Sequence, residues 1–474
     1  MQNNKLFIGR KKELAWLAKT YKQAGQTGQL AILYGKRRVG KTELVTHFLK
    51  NKPSIYYLAS QTTPSQQLES LTQITMKSLG DTHIIGSSFP NWRGYFDYLI
   101  AKLKTRKTAK PIILVFDEFP YLIEKDSGIS SLFQYGWDMG LKDLRVMIIL
   151  LGSSMSMMYK HTLDKRAPLY GRRTTQWLLE SFTYQESKNF YQKISFKNSF
   201  SLYALTGGIP AYLKALDGKL SFEQNIREFI LTEGNFLSIE PELLIAEEFD
   251  DSGTYLTILK AIGLGRTKFS QILQDSHIPS SSLPIYLNNL ISLRLIKKEV
   301  PLTEPIVEKS KKGVYSLSDP FLRFYFSFIF PHGSLIKSGA HNTLFKEHSG
   351  ILTRLLAKSY EDTTLEFIKV AISNNQLPNF EVMGRWWDKN TEIDLVGLDS
   401  NTNSILFVET KWSQKPIDVG ILLDLKRKSQ EVIWGRPDRH EYFGLVSAAG
   451  FTPKLKRLAK QENIILIQED RVVS

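Results

Sequence analysis

The sequence has no cysteine among its 474 residues, which excludes disulfide frameworks, thiolate zinc sites and cysteine-held iron–sulfur clusters together. Its eight histidines are scattered without an HxxxH pair, so any metal is expected on oxygen ligands. No run approaches the ~18 consecutive apolar residues that a spanning helix needs, and the opening MQNNKLFIGRKKE lacks the apolar centre of a signal peptide. A soluble, cytoplasmic chain without a membrane partner is the expectation. Acidic residues are scarce in one place only. Residues 1–175 hold 27 Lys and Arg against 12 Asp and Glu, whereas residues 176–330 hold 16 and 17 and residues 331–474 hold 19 and 18. The formal charge of +15 therefore resides in the N-terminal third. Nucleotide phosphates would absorb a few of those charges, and nucleic acid, DNA in the first instance, is a partner that fits the rest. The bland alternative is a basic surface that serves solubility alone.

At ~150 residues per domain the length suggests about three domains, and 42% hydrophobic with 23% charged residues argues for packed cores rather than disorder. The first third alternates short apolar runs with longer mixed segments. Gln29–Tyr34, Pro111–Phe116 and Leu144–Leu151 are continuous apolar runs bounded by polar turns, and a helix is expected over Lys41–Lys50. Runs of that kind are parallel strands covered on both faces, so an open α/β sheet is expected over residues 1–175. From about Gln176 amphipathic helical segments read as a lid over 176–250. Thr254–Leu264, Lys268–Ser276 and Ser281–Leu293, followed by strands Leu295–Val300 and Gly313–Leu317, suggest a winged helix over 251–330. A helix near Ile351–Ile372 and strands around Thr391–Leu398, Ser404–Thr410, Gly444–Ser447 and Ile464–Ile467 make 331–474 a further α/β unit.

The strongest motif is GKRRVGKT, fitting G-x-x-x-x-G-K-[ST] directly after an apolar strand and before a helix. Its residues Gly35, Lys36, Arg37, Arg38, Val39, Gly40, Lys41 and Thr42, with Glu43 behind them, are the expected ATP-binding loop. Main-chain N–H groups and the helix start face the phosphates, Lys41 reaches the β- and γ-phosphates, and Thr42 can ligate Mg²⁺. The second strand, IILVFDEF, supplies Asp117 to hold Mg²⁺ through water and Glu118 to orient and deprotonate the attacking water. A third strand ends in Ser153 and Ser154, either of which could sense the γ-phosphate. In PLYGRRT, Arg172 or Arg173 could supply transition-state charge in cis or to a neighbouring subunit of an oligomer, against the default of a solvated surface pair.

These residues resemble the archaeal-type ATPase family within the AAA+ and STAND branch of P-loop ATPases. The likeness runs through FIGRKKEL (Phe7 to Leu14), the GKRRVGKT loop, VFDEFPYL, LLGSSMSMM, PLYGRR and TGGIPAYL (Thr206 to Leu213). It implies that Phe7 to Arg10 lie near the adenine, that Ser154 is the sensor, that Arg172 or Arg173 is a finger, and that Gly208 to Pro210 mark the lid.

The third helix of the winged-helix segment, Ser281 to Ser292, contains no lysine or arginine. Positive charge lies beside it at Arg294, Lys297 and Lys298 and on the wing at Lys309, Lys311 and Lys312, which favours phosphate contact over base reading. A purely packing role for this module is equally open. The C-terminal third holds EIDLVGLD, a polar turn, and SILFVETKW. Glu409 and Lys411 alternate onto one side of their strand, and a hairpin can bring Asp394 next to them. Two carboxylates sharing Mg²⁺ with a lysine beside them suit phosphodiester hydrolysis. This constellation resembles the PD-(D/E)XK nuclease superfamily, and the whole third resembles the domain of unknown function that follows archaeal-type ATPases. Glu361 matches that superfamily's helical glutamate near the metal, whereas Ile393 stands where proline gives the motif its name.

Two functions are compatible with these features. One is an ATP-hydrolysing switch or motor that governs a metal-dependent nuclease domain acting on nucleic acid, with Asp117, Glu118, Lys41 and Thr42 serving one chemistry and Asp394, Glu409 and Lys411 the other. The second is a nucleotide-dependent signalling or interaction protein whose nuclease-like domain binds a partner without cutting it.

Overall fold

The computed structural model describes residues 7–81, 89–191, 193–304, 310 and 312–473. The chain forms two units, one comprising Met1–Ser181 with Ile209–Ala211, the other Phe182–Gly208 with Tyr212–Ser474.

The first unit runs α1 (Lys11–Gln23), β1 (Gln29–Tyr34), α2 (Lys41–Leu49), β2 (Ser54–Leu58), α3 (Pro64–Leu79), α4 (Trp92–Lys104), β3 (Ile112–Asp117), α5 (Phe119–Lys125), α6 (Ile129–Met139), β4 (Val146–Gly152), α7 (Met155–Met158) and β5 (Thr175–Leu178). All strand pairs are parallel, in the order β2-β3-β4-β1-β5. Side chains alternate across the sheet. Leu30, Ile32, Leu114, Phe116, Ile148 and Leu150 join one core with α3, α4 and α6. Ala31, Leu33, Ile113, Val115, Ile149 and Leu151 join another with α1 and α2. Every residue of β3 and β4 is buried, which is why their sequences show no polar alternation. Two strands fall outside the expected runs: β2 pairs with β3 at one edge, and β5, at the start of the segment assigned to the lid, pairs with β1 at the other. For β5 the reason is its exposure. Its four residues are half-buried or exposed, so it lacks the continuous apolar run that betrays a central strand.

In the second unit the helices Ser252–Gly263, Phe269–Ser276 and Leu283–Ser292 precede the antiparallel ribbon of β6 (Ile296–Glu299) and β7 (Val314–Leu317), a winged-helix arrangement. The expected wing cations are in part spent within the unit. Lys312 pairs with Glu304 at 3.0 Å and Asp388 at 3.1 Å, and Lys297 with Glu299 at 3.1 Å. Lys309 and Lys311 lie outside the described residues. Paired ammonium groups have less to gain from a phosphate, so the wing is a poorer nucleic-acid surface than its composition suggests.

The same unit ends in a mixed six-stranded sheet preceded by the long helix His341–Ser373, ten residues earlier in its start than the apolar pattern indicates. Its strands are β8 (Val382–Asp388), β9 (Thr391–Asp399), β10 (Ser404–Lys411), β11 (His440–Ser447), β12 (Ile465–Gln468) and β13 (Arg471–Val472). The order is β13-β12-β11-β10-β9-β8. The pairs β10–β11 and β11–β12 are parallel, and the β8–β9–β10 meander is antiparallel. Leu406 and Val408 face the long helix, with Phe367 and Ile368. Ile405 and Phe407 face Leu422, Leu425 and Leu455 of the helices Val419–Ser429 and Pro453–Gln461.

Candidate functional site

The glycine-rich loop joins β1 to α2. Gly35 has φ +155°, and a Cβ there would lie 2.3 Å from the Leu179 carbonyl oxygen, so no larger residue fits. Gly40 has φ +92° and caps α2, which puts Lys41 and Thr42 in the first helical turn with Glu43. N–H groups of a first turn have no partner in their own helix and favour anions. Pro210 of the TGGIPAYL stretch lies 4.0 Å from where a Cβ on Gly40 would stand, so this segment borders the loop.

Lys41 is buried and its Nζ donates to the carbonyl oxygens of Gly35 and Lys36, each at 2.9 Å. Arg37 donates to the Tyr121 hydroxyl at 3.1 Å, and Arg38 takes a left-handed φ of 63°. The carbonyl of Val39 accepts from Arg10 at 2.8 Å, and Arg10 also pairs with Glu13 at 3.2 Å. Arg10 is 4% exposed: it braces the loop against α1. Phe7 stacks on His47 with ring centroids 4.0 Å apart. Arg10, one of the residues that the resemblance sets near the adenine, thus also holds the phosphate loop.

Asp117 ends β3 fully buried. Thr42 Oγ1 donates to its Oδ2 at 2.7 Å, the Tyr56 hydroxyl donates to the same oxygen, and Glu118 N–H donates to Oδ1 at 2.9 Å. The burial of Tyr56 and its bond to Asp117 raise its pKa above the ordinary tyrosine value. Nothing in SIYYL marks Tyr56 as a site residue; only the parallel register Leu58↔Asp117 brings β2 beside the acidic end of β3. Glu118 has φ 50°, a left-handed geometry costing about 1 kcal/mol or more in a non-glycine residue. Its carboxylate accepts from Ser153 Oγ at 2.7 Å and Ser153 N–H at 3.3 Å. Ser154 instead caps α7 by accepting from Met157 N–H at 3.5 Å. Ser153 thus touches the acidic pair.

Both arginines of PLYGRRT have partners in the first unit. Arg172 pairs with Asp138 at 3.0 Å, and Arg173 donates to the Thr162 carbonyl at 3.0 Å while lying 4.4 Å over the Tyr170 ring. Service as a finger requires either to exchange these partners.

In the second unit the antiparallel register Val408↔Leu395 sets Glu409 beside Asp394. Asp394 Oδ2 accepts the Thr410 N–H at 2.8 Å. Lys411 Nζ donates to Glu409 Oε1 at 2.7 Å, confirming their shared side of β10. Burial, and then the neighbouring charges of Glu409 and Glu361, push the Asp394 carboxyl up to about 7. Sequence alone did not find Lys428: it reaches Glu409 from the helix Val419–Ser429 at 3.1 and 3.3 Å. Glu361 stands on the long helix covering the other face of the sheet and bonds Lys358 at 2.9 Å. Among the described residues no group of three or more His, Asp or Glu side chains is arranged to hold a metal ion. Glu361 and Glu409 are each bonded by a lysine, and the charges of both act on Asp394. Ile393 is fully buried and pairs with Trp386 across β8 and β9, a ladder position that a proline cannot fill as a donor.

Comparison with known proteins gives two family matches. A model described as an ATPase domain predominantly from Archaea matches residues 7–216, and one for archaeal and bacterial proteins of unknown function matches residues 325–431. The chain is 33% identical over 461 residues to the protein MJECL04 of Methanocaldococcus jannaschii, covering 97% of each. A 47-residue stretch is 47% identical to the ATP-binding protein MJ0423 of that organism, covering 10% of this chain and 76% of that one. Among solved structures, the Walker-type ATPase PABY2304 of Pyrococcus abyssi has 23% identity and a TM-score of 0.48, over 68% of this chain and 96% of that one. The ORC2 protein of Aeropyrum pernix has 13% identity and a TM-score of 0.47, over 71% and 97%. No helix among the described residues is long and apolar enough to cross a membrane. The near full-length relative and the match over the nucleotide loop together show that the chain belongs to the archaeal-type ATPase family and is an ATPase.

Proposed function

We propose that this ATPase uses its nucleotide state to govern the carboxylate–lysine site of its C-terminal sheet, which acts on nucleic acid as a metal-dependent nuclease. The ATP site fits Mg²⁺ by its donors: the Thr42 hydroxyl and the buried Asp117 carboxylate share one hydrogen bond beside the phosphate loop, the oxygen set that Mg²⁺ takes together with phosphate and water. Mg²⁺ bound there would neutralise charge developing on the phosphates. Lys41 offers a second cation from inside the loop. Glu118, held by Ser153, is the base that orients water.

The observation that carries the nuclease part is the convergence of Asp394, Glu409 and Lys411 at one end of β9 and β10. Asp394 and Glu409 would hold the divalent ion and Lys411 would sit against the scissile phosphate. The test incubates the full chain with DNA or RNA, Mg²⁺ or Mn²⁺, and with or without ATP. Cleavage is expected to need metal, to vanish in Asp394→Ala and Glu409→Ala, and to lose its ATP dependence in Glu118→Gln. Cleavage that is unchanged in both carboxylate variants rejects the site.

One observation favours a second function. Glu409 is already bonded by Lys411 and Lys428, an arrangement that suits a charge-balanced binding surface without a metal. Such a protein turns over ATP, self-associates and binds its partner uncut.

A further inference from the structure

The basic excess of the first 175 residues is not exhausted by the nucleotide loop, and part of it gathers at the other end of the sheet. The connection from α4 to β3 reads Lys104-Thr-Arg-Lys-Thr-Ala-Lys110, with four cations and no acid. The turn before β4 adds Lys142 and Arg145. Between these two segments lies a cavity of about 230 Å³ lined by Lys104, Arg106, Thr108, Asp143 and Arg145. Asp143 is its one acid. Both segments enter strands at their N-terminal ends, whereas the nucleotide loop leaves β1 at its C-terminal end. A strand of six or seven residues spans roughly 20 Å, so this cavity is separate from the triphosphate site.

Its cations are available. Lys102, one turn earlier, is paired with Asp81 at 2.6 Å, but among the described residues no ion pair engages Lys104, Arg106 or Arg145. Arg106 is half-buried and shaped by the loop itself: its Nη1 donates to the Lys110 carbonyl at 2.8 Å. Burial lowers its pKa from the ordinary arginine value, opposed by nearby Tyr21, the mark of a guanidinium that has lost water without gaining a carboxylate. A planar guanidinium in that state offers a fork of N–H donors suited to phosphate oxygens. Lys107 and Lys110 on one side and Lys142 on the other flank the cavity. One small anion would satisfy the centre and leave the flanks unpaired, whereas a chain of regularly spaced phosphates satisfies all of them.

We infer that the cavity between the Lys104–Lys110 loop and the turn before β4 seats a backbone phosphate of nucleic acid, with Arg106 and Arg145 as its principal contacts. The inference deepens the nucleic-acid part of the proposed function by giving the ATPase unit its own binding surface, and contacts of this kind carry no base preference.

The test measures binding of the full chain to a fluorescent oligonucleotide by anisotropy, in chelator so that nothing is cut, from about 50 to about 200 mM salt. Arg106→Ala with Arg145→Ala is expected to weaken binding about tenfold or more at low salt and to flatten the log–log salt slope by about 1 to 2. Calorimetry should show unchanged ATP affinity, and the Arg→Lys pair should retain most of the slope. Unchanged affinity and slope in the alanine pair overturn the inference, as does weaker binding with the slope intact. Loss of binding to phosphatidylserine vesicles with oligonucleotide binding preserved overturns it too. Cleavage is not read out, so the nuclease proposal and this surface can fail separately.

Discussion

Asp117 ends the buried strand β3 and Asp394 lies in the first half of β9, each beside a neighbouring strand, yet their surroundings are opposite in kind. Asp117 accepts from two hydroxyls and an N–H. Asp394 accepts a single N–H and faces two further carboxylates. The first acid is surrounded by donors that the fold supplies, so its carboxylate is oriented before anything binds. The second is held in conflict: burial and two carboxylates oppose its charge, and the Thr410 N–H and the Lys411 ammonium offset only part of that. Preorganisation belongs to the Asp117 site; the C-terminal site stores an electrostatic imbalance.

The comparison is broken most severely at the ATP site. Lys41→Ala removes the buried ammonium of the loop, and Glu118→Gln removes the proposed base while sparing the hydrogen bond from Ser153. Losses of about 10² to 10⁴ in kcat are expected, measured as phosphate release. The two variants should differ in calorimetry: Glu118→Gln retains ATP binding, Lys41→Ala does not. Equal retention of binding by both would remove Lys41 from the phosphate cradle.

At the C-terminal site the imbalance is readable as a pH dependence of stability. The Asp394 carboxyl is raised from 3.8 to about 7, chiefly by burial. The folded chain therefore keeps a proton that the unfolded chain has released, and the stability tied to it is full below about pH 4 and lost as pH climbs to about 7. Asp394→Asn cannot ionise and escapes that loss. Its Tm relative to the parent should rise across that window, by about 5 °C or more, then level off. A Tm difference independent of pH would mean that Asp394 is already ionised when folded.

The legible parts of this chain were those where one physical pattern coincides with one role. β1, β3 and β4 are uninterrupted apolar runs, and the Gly35–Thr42 spacing fixes a cradle because Gly35 and Gly40 alone tolerate their backbone angles. Strand alternation put Glu409 and Lys411 on one side. What sequence did not reveal depends on elements brought together from afar. Tyr56 reaches Asp117 across 61 residues and Lys428 reaches Glu409 across 19, and neither sits in a local pattern that announces it. That Ser153 bonds Glu118 turns on how the chain leaves β4 beside the end of β3. Glu361 carries both kinds of relation: its charge acts on Asp394 from a distant helix, while Lys358, one turn away on that helix, bonds it.

The subtlest way to sharpen the comparison is Tyr56→Phe, which deletes one hydroxyl donor to Asp117 and leaves the ring. A hydrogen bond to a charged group contributes about 1.5 to 3 kcal/mol, so the variant should unfold a few degrees earlier, by about 3 to 8 °C. Its effect on ion binding should have the other sign. Tyr56 and Thr42 share Asp117 Oδ2, and an oxygen relieved of one donor has more charge and a lone pair to offer a hydrated cation. Calorimetry of ATP with and without Mg²⁺ should then show a few-fold larger Mg²⁺ contribution in Tyr56→Phe than in the parent, with the Mg²⁺-free affinity unchanged. If stability and the Mg²⁺ contribution fall together, the hydroxyl aims the carboxylate instead of competing for it, and the preorganisation of Asp117 owes as much to β2 as to the loop.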